Sequence, residues 1–471
     1  MMGYFLLPFR FHIVRNRELL VNDLGDYLSL PRGSVQRIVD RQIRPDEELY
    51  KDLIASFFIS ERPLPRLLDS MAVRLATRKA FLDHFTALHI FVLTLRCNQN
   101  CIYCQASSKE CHHEGYDMSE ESLRQAIDLM FRSPSPSLTM EFQGGEPTLM
   151  PHLIRKGIKY AEEKNRTEQR RITYVICTNC VAPTDEILDL CKRYGAVIST
   201  SLDGPQFLHN RNRGKTDSYQ KVVSGIAKVR QELGADRISA LMTTSEYSLD
   251  YPREIIDAYR ENGFHSIFIR ALNPYGLAKE NDDWTAYCDR FVAFYKQALE
   301  YILEINKSGE TFIEEFATLI LRKILTPFPI GFVDLQSPSG IVNGVAVYNY
   351  DGYVYASDES RMLAEYDDYT FRLGRVSDCY ENLFYGRRVQ EISRLWATEH
   401  IAGCADCAFQ SICGADPVRN YSTQGDMYGF RPTSNFCRKH KAIIEYIFEL
   451  LTERREEVLP IFKSWITGTR G

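Results

Sequence analysis

Three cysteines at CxxxCxxC spacing, Cys97, Cys101 and Cys104, are the residues of this 471-residue chain whose types and placement speak most directly of chemistry. On one loop that spacing can bring three thiolates to three irons of a [4Fe-4S] cubane. The fourth iron is then left without a protein ligand. Such an open position on a redox-active cluster is what a metal needs to bind and reduce a substrate or cofactor directly. Structural zinc and free thiols are the alternatives; no fourth Cys or His lies at finger-like spacing, although Cys111, His112 and His113 are near. A second group, Cys404, Cys407 and Cys413, with Cys437 after a gap, also has ligand-like spacing. Four Cys can form either a zinc site or an iron–sulfur centre.

These seven belong to a total of thirteen Cys. A disulfide framework would need a secreted context and usually a small chain poor in core. The N-terminus reads as neither a signal peptide nor a membrane span: the apolar stretch 4–9 is short, is interrupted by Pro8 and runs into Arg10. A cytoplasmic protein with metal-ligating or catalytic thiols is therefore expected. The scattered Cys111, Cys177, Cys180, Cys191, Cys288 and Cys379 read mostly as small buried hydrophobes. With 44% hydrophobic and 25% charged residues the chain can build a sizeable core, and a net charge of -5 argues against nucleic acid or an anionic membrane as its partner.

The elements that must position these thiols fall into three regions. Residues 1–85 read as a small α+β module, a candidate for peptide recognition, with strand-like FRFHIV, ELLVN and YLSLP ahead of helical stretches at 32–42 and 46–59. Region 86–310 alternates apolar β-rich runs (89–95, 138–143, 172–178, 196–202, 238–244 and 266–272) with helical patterns near 119–132, 151–164, 184–194, 217–233 and 250–262. Six βα units imply a parallel sheet that curls into a partial (β/α)6 TIM-like barrel, an α/β fold with its chemistry at the C-terminal ends of the strands. Region 311–450 opens with a helix at 311–325, continues through a hairpin around Asn349-Tyr350-Asp351-Gly352, and carries the second Cys group. Residues 451–471 form a tail, its charges a solvated face.

Motifs stand at the ends of the first four of these strands. The Cys97 loop follows the first; Gln143-Gly144-Gly145-Glu146-Pro147 closes the second, Thr178-Asn179 the third and Ser201-Leu202-Asp203-Gly204-Pro205 the fourth, with Arg213 downstream. Each alone is an ordinary strand-end turn. Together, with an aromatic residue before the last Cys of the loop, they resemble the radical S-adenosylmethionine (SAM) superfamily. The resemblance implies that SAM chelates the open iron and is reductively cleaved to methionine and a 5′-deoxyadenosyl radical. It implies cofactor-binding roles for Gly144, Gly145, Glu146 (toward the SAM ammonium), Asn179 (toward the ribose, although Cys180 replaces the usual Gly), and Ser201 with Arg213 (toward the carboxylate).

The second Cys group resembles the SPASM extension of peptide-modifying radical SAM enzymes. Cys404, Cys407, Cys413 and Cys437 match the ligands of one auxiliary [4Fe-4S] cluster. The other cluster's positions are lost: Ser357 stands where a Cys would follow Gly352, Pro417 occupies a further ligand position, and no Cys lies between Cys288 and Cys379. One auxiliary cluster is expected, with structural zinc as the alternative. Asp358 matches the place of a carboxylate base in sulfatase-maturing relatives, though a plain hairpin Asp reads as well.

The N-terminal phrase FRFHIVRNRELLVNDLGDYLSLPR, the strand-end motifs and the single-cluster C-terminal region together resemble the His-Xaa-Ser system radical SAM maturase, B component. That resemblance implies a ribosomal precursor peptide with His-Xaa-Ser repeats as substrate, a second maturase as partner, and a reductant such as flavodoxin or ferredoxin. Rival readings are a thioether- or cyclophane-forming maturase, a sulfatase-type Ser/Cys oxidase, and, from another class, a non-catalytic peptide-binding scaffold with a structural metal site.

Overall fold

The computed structural model describes residues 3–63, 65–280 and 283–468. The N-terminal strands β1 (Phe9–Val14), β2 (Arg17–Asn22) and β3 (Tyr27–Pro31) form an antiparallel sheet in that order. Its central strand is the buried one: Leu19, Leu20 and Val21 are almost wholly covered. Short helices α1 (Ser34–Val39) and α2 (Glu48–Ala55) follow. They pack Ile38 and Leu53 into a small separate core with Leu20 and Phe58.

The site is built on one larger sheet. Its parallel strands are β4 (Leu88–Thr94), β5 (Ser137–Gly144), β6 (Arg171–Cys177), β7 (Val197–Ser201) and β8 (Ile238–Leu241). The connecting helices carry their own start signals. Ser119 accepts from the Ser122 amide at 3.0 Å ahead of α3 (Glu120–Arg132), and Thr184 caps α4 (Asp185–Tyr194), whose first turn holds Asp185 and Glu186 where acidic groups suit the helix dipole. Helix-facing strand residues such as Phe91, Met140, Phe142, Ile176 and Ile198 are fully buried against these helices; each contributes about 1.5–3 kcal/mol of burial free energy.

The α/β fold class expected from the sequence is the fold observed, but the sixth apolar run behaves differently. Of residues 266–272 only β9 (Ser266–Ile267) is strand. It pairs in parallel with β10 (Ile313–Glu314), and a lone bridge joins Thr244 to Ala271. The physical reason is the buried Glu314 carboxylate, which accepts from the Ile269 amide at 3.1 Å and from the amides of Phe316 and Ala317, so a side chain takes the hydrogen bond a neighbouring strand would have taken. The next parallel partner comes from the C-terminal region instead. Strand β11 (Val345–Tyr348) lies along β4, and the antiparallel β12 (Tyr353–Tyr355) and β13 (Arg372–Arg375) complete an eight-stranded sheet among the described residues. His89 ties this junction together. It bonds Tyr348 Oη and Thr86 O at 3.0 Å each, and burial lowers its pKa to about 3, keeping the ring neutral. No helix among the described residues is long and apolar enough to cross a membrane.

Candidate functional site

The loop carrying Cys97, Cys101 and Cys104 leaves the end of β4 and is clamped on three sides. Arg96 forks onto Asp117 at 2.7 and 2.8 Å. The Ile102 amide donates to Asn212 O at 3.0 Å, and Leu277 N to Cys104 O at 2.9 Å. At both of the latter contacts a glycine with positive φ lets backbone meet backbone: a Cβ on Gly214 would stand 2.2 Å from Asn100 O, and one on Gly276 2.2 Å from Cys104 O. The loop is thus pressed into place by segments more than 100 residues away.

The thiols are half-buried. Burial pushes Cys97 up to about 12, with Glu146, Cys101 and Cys104 adding charge of the same sign; burial likewise raises Cys101, opposed by Arg213. Three converging thiols in such surroundings become thiolates only against a compensating positive centre, which a ligated metal supplies. As a donor set they fit three irons of a cubane.

Around this loop the structure gathers most of the predicted cofactor residues. Glu146 is 1% exposed, and its carboxylate is met by hydrogen-bond donors. Its Oε1 accepts from Thr148 N (3.1 Å), Thr148 Oγ1 (2.6 Å) and Thr178 Oγ1 (2.7 Å), its Oε2 from Asn179 N (2.8 Å). A carboxylate offers about four acceptor positions, so the free capacity lies on Oε2. Burial raises the Glu146 pKa and these donors oppose it. The carboxylate therefore staples the end of β5 to the end of β6, and in doing so sets Asn179, whose Nδ2 lies 4.0 Å from Cys97 Sγ and 2.6 Å from Asn98 Oδ1. Gly144 and Gly145 make that staple possible. Their Cβ positions would fall 2.0 Å from Thr94 O and 2.4 Å from Leu95 O, so their close approach is to the strand that leads to Cys97. Cys180, which stands where a Gly is usual, has φ +56, in the left-handed region; a non-glycine residue there costs about 1–2 kcal/mol.

Arg213, 8% exposed, holds Asp203 through Nε and Nη2 at 2.9 Å each and turns Nη1 toward Cys101 Sγ at 3.8 Å. Tyr103 donates to the same Asp203 at 2.7 Å. Ser201 ends β7, half-buried; the bonds that orient Arg213 run to Asp203 and not to Ser201. Asp203 and Tyr103 are the positioning residues that sequence reasoning passed over, although both lie inside the motifs it quoted.

The face of the sheet turned away from the helices carries a set of half-buried polar side chains. The registers put Ile90, Glu141, Val175 and Val197 side by side, and Val92, Gln143, Cys177 and Ser199 one step on. Glu141, Gln143, Cys177 and Ser199 are only half-buried, unlike the helix-facing residues between them. Burial and the Glu141 carboxylate hold the Cys177 thiol well up. Near enough for the Asp358 charge to act on Glu141 and Cys177 lies the N-terminus of α5 (Asp358–Ala364), whose cap is Ser357: its Oγ accepts from the Ser360 amide at 3.2 Å within a capping box. Asp358 is paired with the buried Arg361 at 3.2 Å, and Arg361 reaches Ala106 O on the Cys loop at 3.1 Å. The neighbouring Glu359 faces Arg270 at 4.0 Å. Burial raises its pKa to about 8, Asp334, Asp358 and Asp416 push the same way, and Arg270 opposes.

Cys404, Cys407 and Cys413 lie on one loop, and Cys437 on the first turn of α7 (Asn435–Glu453), with Ser434 Oγ accepting from its amide at 3.2 Å. Burial pushes Cys413 up to about 12 and Cys437, Cys404 and Cys407 act in the same sense, so the four thiols share one neighbourhood. Four soft thiolate donors fit an iron–sulfur centre or zinc. Among the described residues, no three His, Cys, Asp or Glu are drawn together tightly enough to hold a single metal ion. Pro417, at a lost ligand position, is the first residue of α6 (Pro417–Gln424), capped by Asp416. Both positions read from the sequence as missing ligands, Ser357 and Pro417, are helix starts. Of the scattered Cys, Cys180, Cys191 and Cys288 are buried, Cys177 is half-buried, and Cys111 and Cys379 are exposed.

Residues 91–243 match the model of the Radical SAM superfamily. A cysteine-type anaerobic sulfatase-maturating enzyme of Clostridium perfringens is 22% identical over 363 residues, covering 75% of this chain and 94% of that one. An AdoMet-dependent heme synthase of Methanosarcina barkeri is 22% identical over 71% of this chain and 92% of that one. Among solved structures, native anSMEcpe with bound AdoMet aligns at a TM-score of 0.64 and 19% identity, over 79% of this chain and 100% of that one. Streptococcus suis SuiB bound to precursor peptide SuiA aligns at 0.54 and 12%, over 92% and 100%. At such identities the structural likeness speaks for the fold. Residues 91–243, which carry the Cys loop and the strand-end motifs, thus match the Radical SAM superfamily, and the chain is an enzyme that shares the fold of the radical SAM maturases.

Proposed function

We propose that this enzyme modifies a ribosomally made precursor peptide, of the His-Xaa-Ser repeat type, by hydrogen abstraction from a peptide carbon. The observation that carries the reading is the union of the Cys97 loop with Glu146, Asn179 and Arg213 at the C-terminal ends of the parallel strands, with a second thiol set in the C-terminal region.

In this reading Cys97, Cys101 and Cys104 hold a [4Fe-4S] cluster. Glu146 Oε2, Asn179, Ser201 and Arg213 hold SAM through its ammonium, ribose and carboxylate, with Gly144 and Gly145 shaping the turn. Together the bound cluster and SAM supply a hydrogen-abstracting 5′-deoxyadenosyl radical. The chain's own contribution is positional: the staple at Glu146 and the clamp at Arg213 hold the reacting groups in one geometry. Glu141, Cys177, Asp358 and Glu359 offer groups that accept or hold a proton beside the peptide. Asp358 would act as base only on release from Arg361. Cys404, Cys407, Cys413 and Cys437 would hold one auxiliary [4Fe-4S] cluster, which would supply an electron acceptor or a point of attachment for the peptide. A second maturase of the same system and a flavodoxin or ferredoxin reductant complete a cytoplasmic pathway. The likeness to sulfatase-maturating enzymes supports a second reading, oxidation of a Ser or Cys side chain.

Anaerobic reconstitution with iron and sulfide tests the cofactor content: about eight irons support two cubanes, about twelve refute the loss of a cluster, and about four with zinc make the second set structural. Dithionite and SAM should then yield 5′-deoxyadenosine. Co-expression with a short His-Xaa-Ser repeat peptide should change the peptide's mass. An unchanged repeat peptide, beside oxidation of a sulfatase-type Ser or Cys peptide, decides for the second reading.

A further inference from the structure

Each thiol set has one guanidinium against one sulfur, at the same separation. Arg213 Nη1 stands 3.8 Å from Cys101 Sγ, and Arg431 Nη1 stands 3.8 Å from Cys404 Sγ. The two differ in charge balance. Arg213 is neutralised by its fork onto Asp203, whereas Arg431 forms no ion pair with a carboxylate among the described residues. Its Nη2 donates to a carbonyl, Tyr428 O, at 2.7 Å. Its Nε–H is buried with no partner among the described residues, a donor that an anionic group beside Cys404 would satisfy.

The backbone is cleared to admit this side chain. Gly403, directly before Cys404, has φ +76, and a Cβ there would come within 2.9 Å of Arg431 Cγ; Gly429 has φ +65, and a Cβ there would lie 2.6 Å from Arg431 Nη2. Two left-handed glycines on separate turns leave space for one arginine. Arg431 also connects to the fourth thiol: its carbonyl accepts from Ser434 N at 3.2 Å, and Ser434 caps the helix turn bearing Cys437.

We propose that Arg431 is a positioning residue of the Cys404–Cys407–Cys413–Cys437 centre, donating to the Cys404 sulfur and balancing the negative charge of the assembled thiolates. This rests on the reading that those four thiols hold a metal centre. A cation with N–H donors at a ligating sulfur stabilises the more negative state of the centre, so loss of Arg431 weakens metal retention and lowers the reduction potential of an iron–sulfur centre.

The test uses full-length protein carrying C97A, C101A and C104A, so that only the second centre remains, with R431K and R431Q added separately. Release of bound metal to a chelator judges Arg431 whichever metal is present. R431Q should release on the order of ten times faster, the lower end of the range for losing an outer partner of a ligand, with R431K between. For an iron centre, redox titration followed by electron paramagnetic resonance should place the R431Q midpoint below that of the parent. G403A, which keeps the arginine and crowds its stem, should shift both readouts the same way. Equal release and equal midpoints in R431Q, with metal retained, overturn the proposal. A parent protein that binds no metal overturns the four-thiol reading itself, and the proposal with it.

Discussion

Replacing Glu146 with Gln keeps the shape of the side chain and changes what its two oxygens can do. With the amide oxygen at the Oε1 position, Thr148 N, Thr148 Oγ1 and Thr178 Oγ1 keep an acceptor, but the new NH2 faces the Asn179 amide donor to donor. Flipped, it serves Asn179 and faces the Thr148 amide instead. Either way one buried backbone N–H loses its partner, at about 1–3 kcal/mol, and the surviving bonds lose their charge assistance, about 1 kcal/mol more. The sum, about 2–4 kcal/mol, falls on the staple between the ends of β5 and β6. Because every 1.4 kcal/mol is tenfold, exchange at whichever of the Asn179 and Thr148 amides loses its acceptor should speed by about 30- to 700-fold. Hydrogen–deuterium exchange on peptides spanning 146–150 and 176–182, in metal-free E146Q and parent protein, reads this directly, with peptides in α3 as the control. Unchanged exchange at both amides in a folded E146Q protein would refute the staple.

Ser357→Ala should cost about 1 kcal/mol by removing a helix cap, read as a lowered denaturant midpoint, and should leave the iron content untouched. Glu359 holds its proton more tightly in the fold than out of it, so the folded state binds more protons between about pH 4.3 and its pKa of about 8, and its contribution to stability declines as pH rises through that window by at most about 1.4 kcal/mol per pH unit. Urea midpoints from pH 5 to 8 should fall more steeply for the parent than for E359Q; parallel curves would show that Glu359 is ionised throughout. If Asp358 is the base, D358N should still cleave SAM to 5′-deoxyadenosine while losing the modified peptide. Loss of both would assign Asp358 to the clamp through Arg361 on the Cys loop.

Much of the centre was legible in the chain itself. A CxxxCxxC loop confines three thiols to a few residues of backbone, and the strand-end motifs sit where alternating apolar runs stop, so both follow from local covalent spacing. The five strands from β4 to β8 fall within the predicted runs to within a few residues for the same reason. The start signals at Ser357 and Asp416-Pro417 were equally local, yet against a ligand pattern they read only as missing cysteines. In the structure both are helix starts, Ser357 and Asp416 each accepting from a first-turn amide.

What remained closed to the sequence is whatever depends on segments that meet only in three dimensions. The run 266–272 has the composition of a strand, but a carboxylate from Glu314 took its backbone donor, and a strand from 345–348 took the open edge of β4. The glycines of the second strand end look like room for a cofactor, and folding turns their approach onto the backbone of residues 94–96. Asp203, Tyr103, Arg361 and Arg431 act through partners up to 255 residues away. Spacing along the chain determines which donors a short loop can present. Burial and the charges brought up beside those donors set their protonation and aim, and the tertiary fold alone decides both.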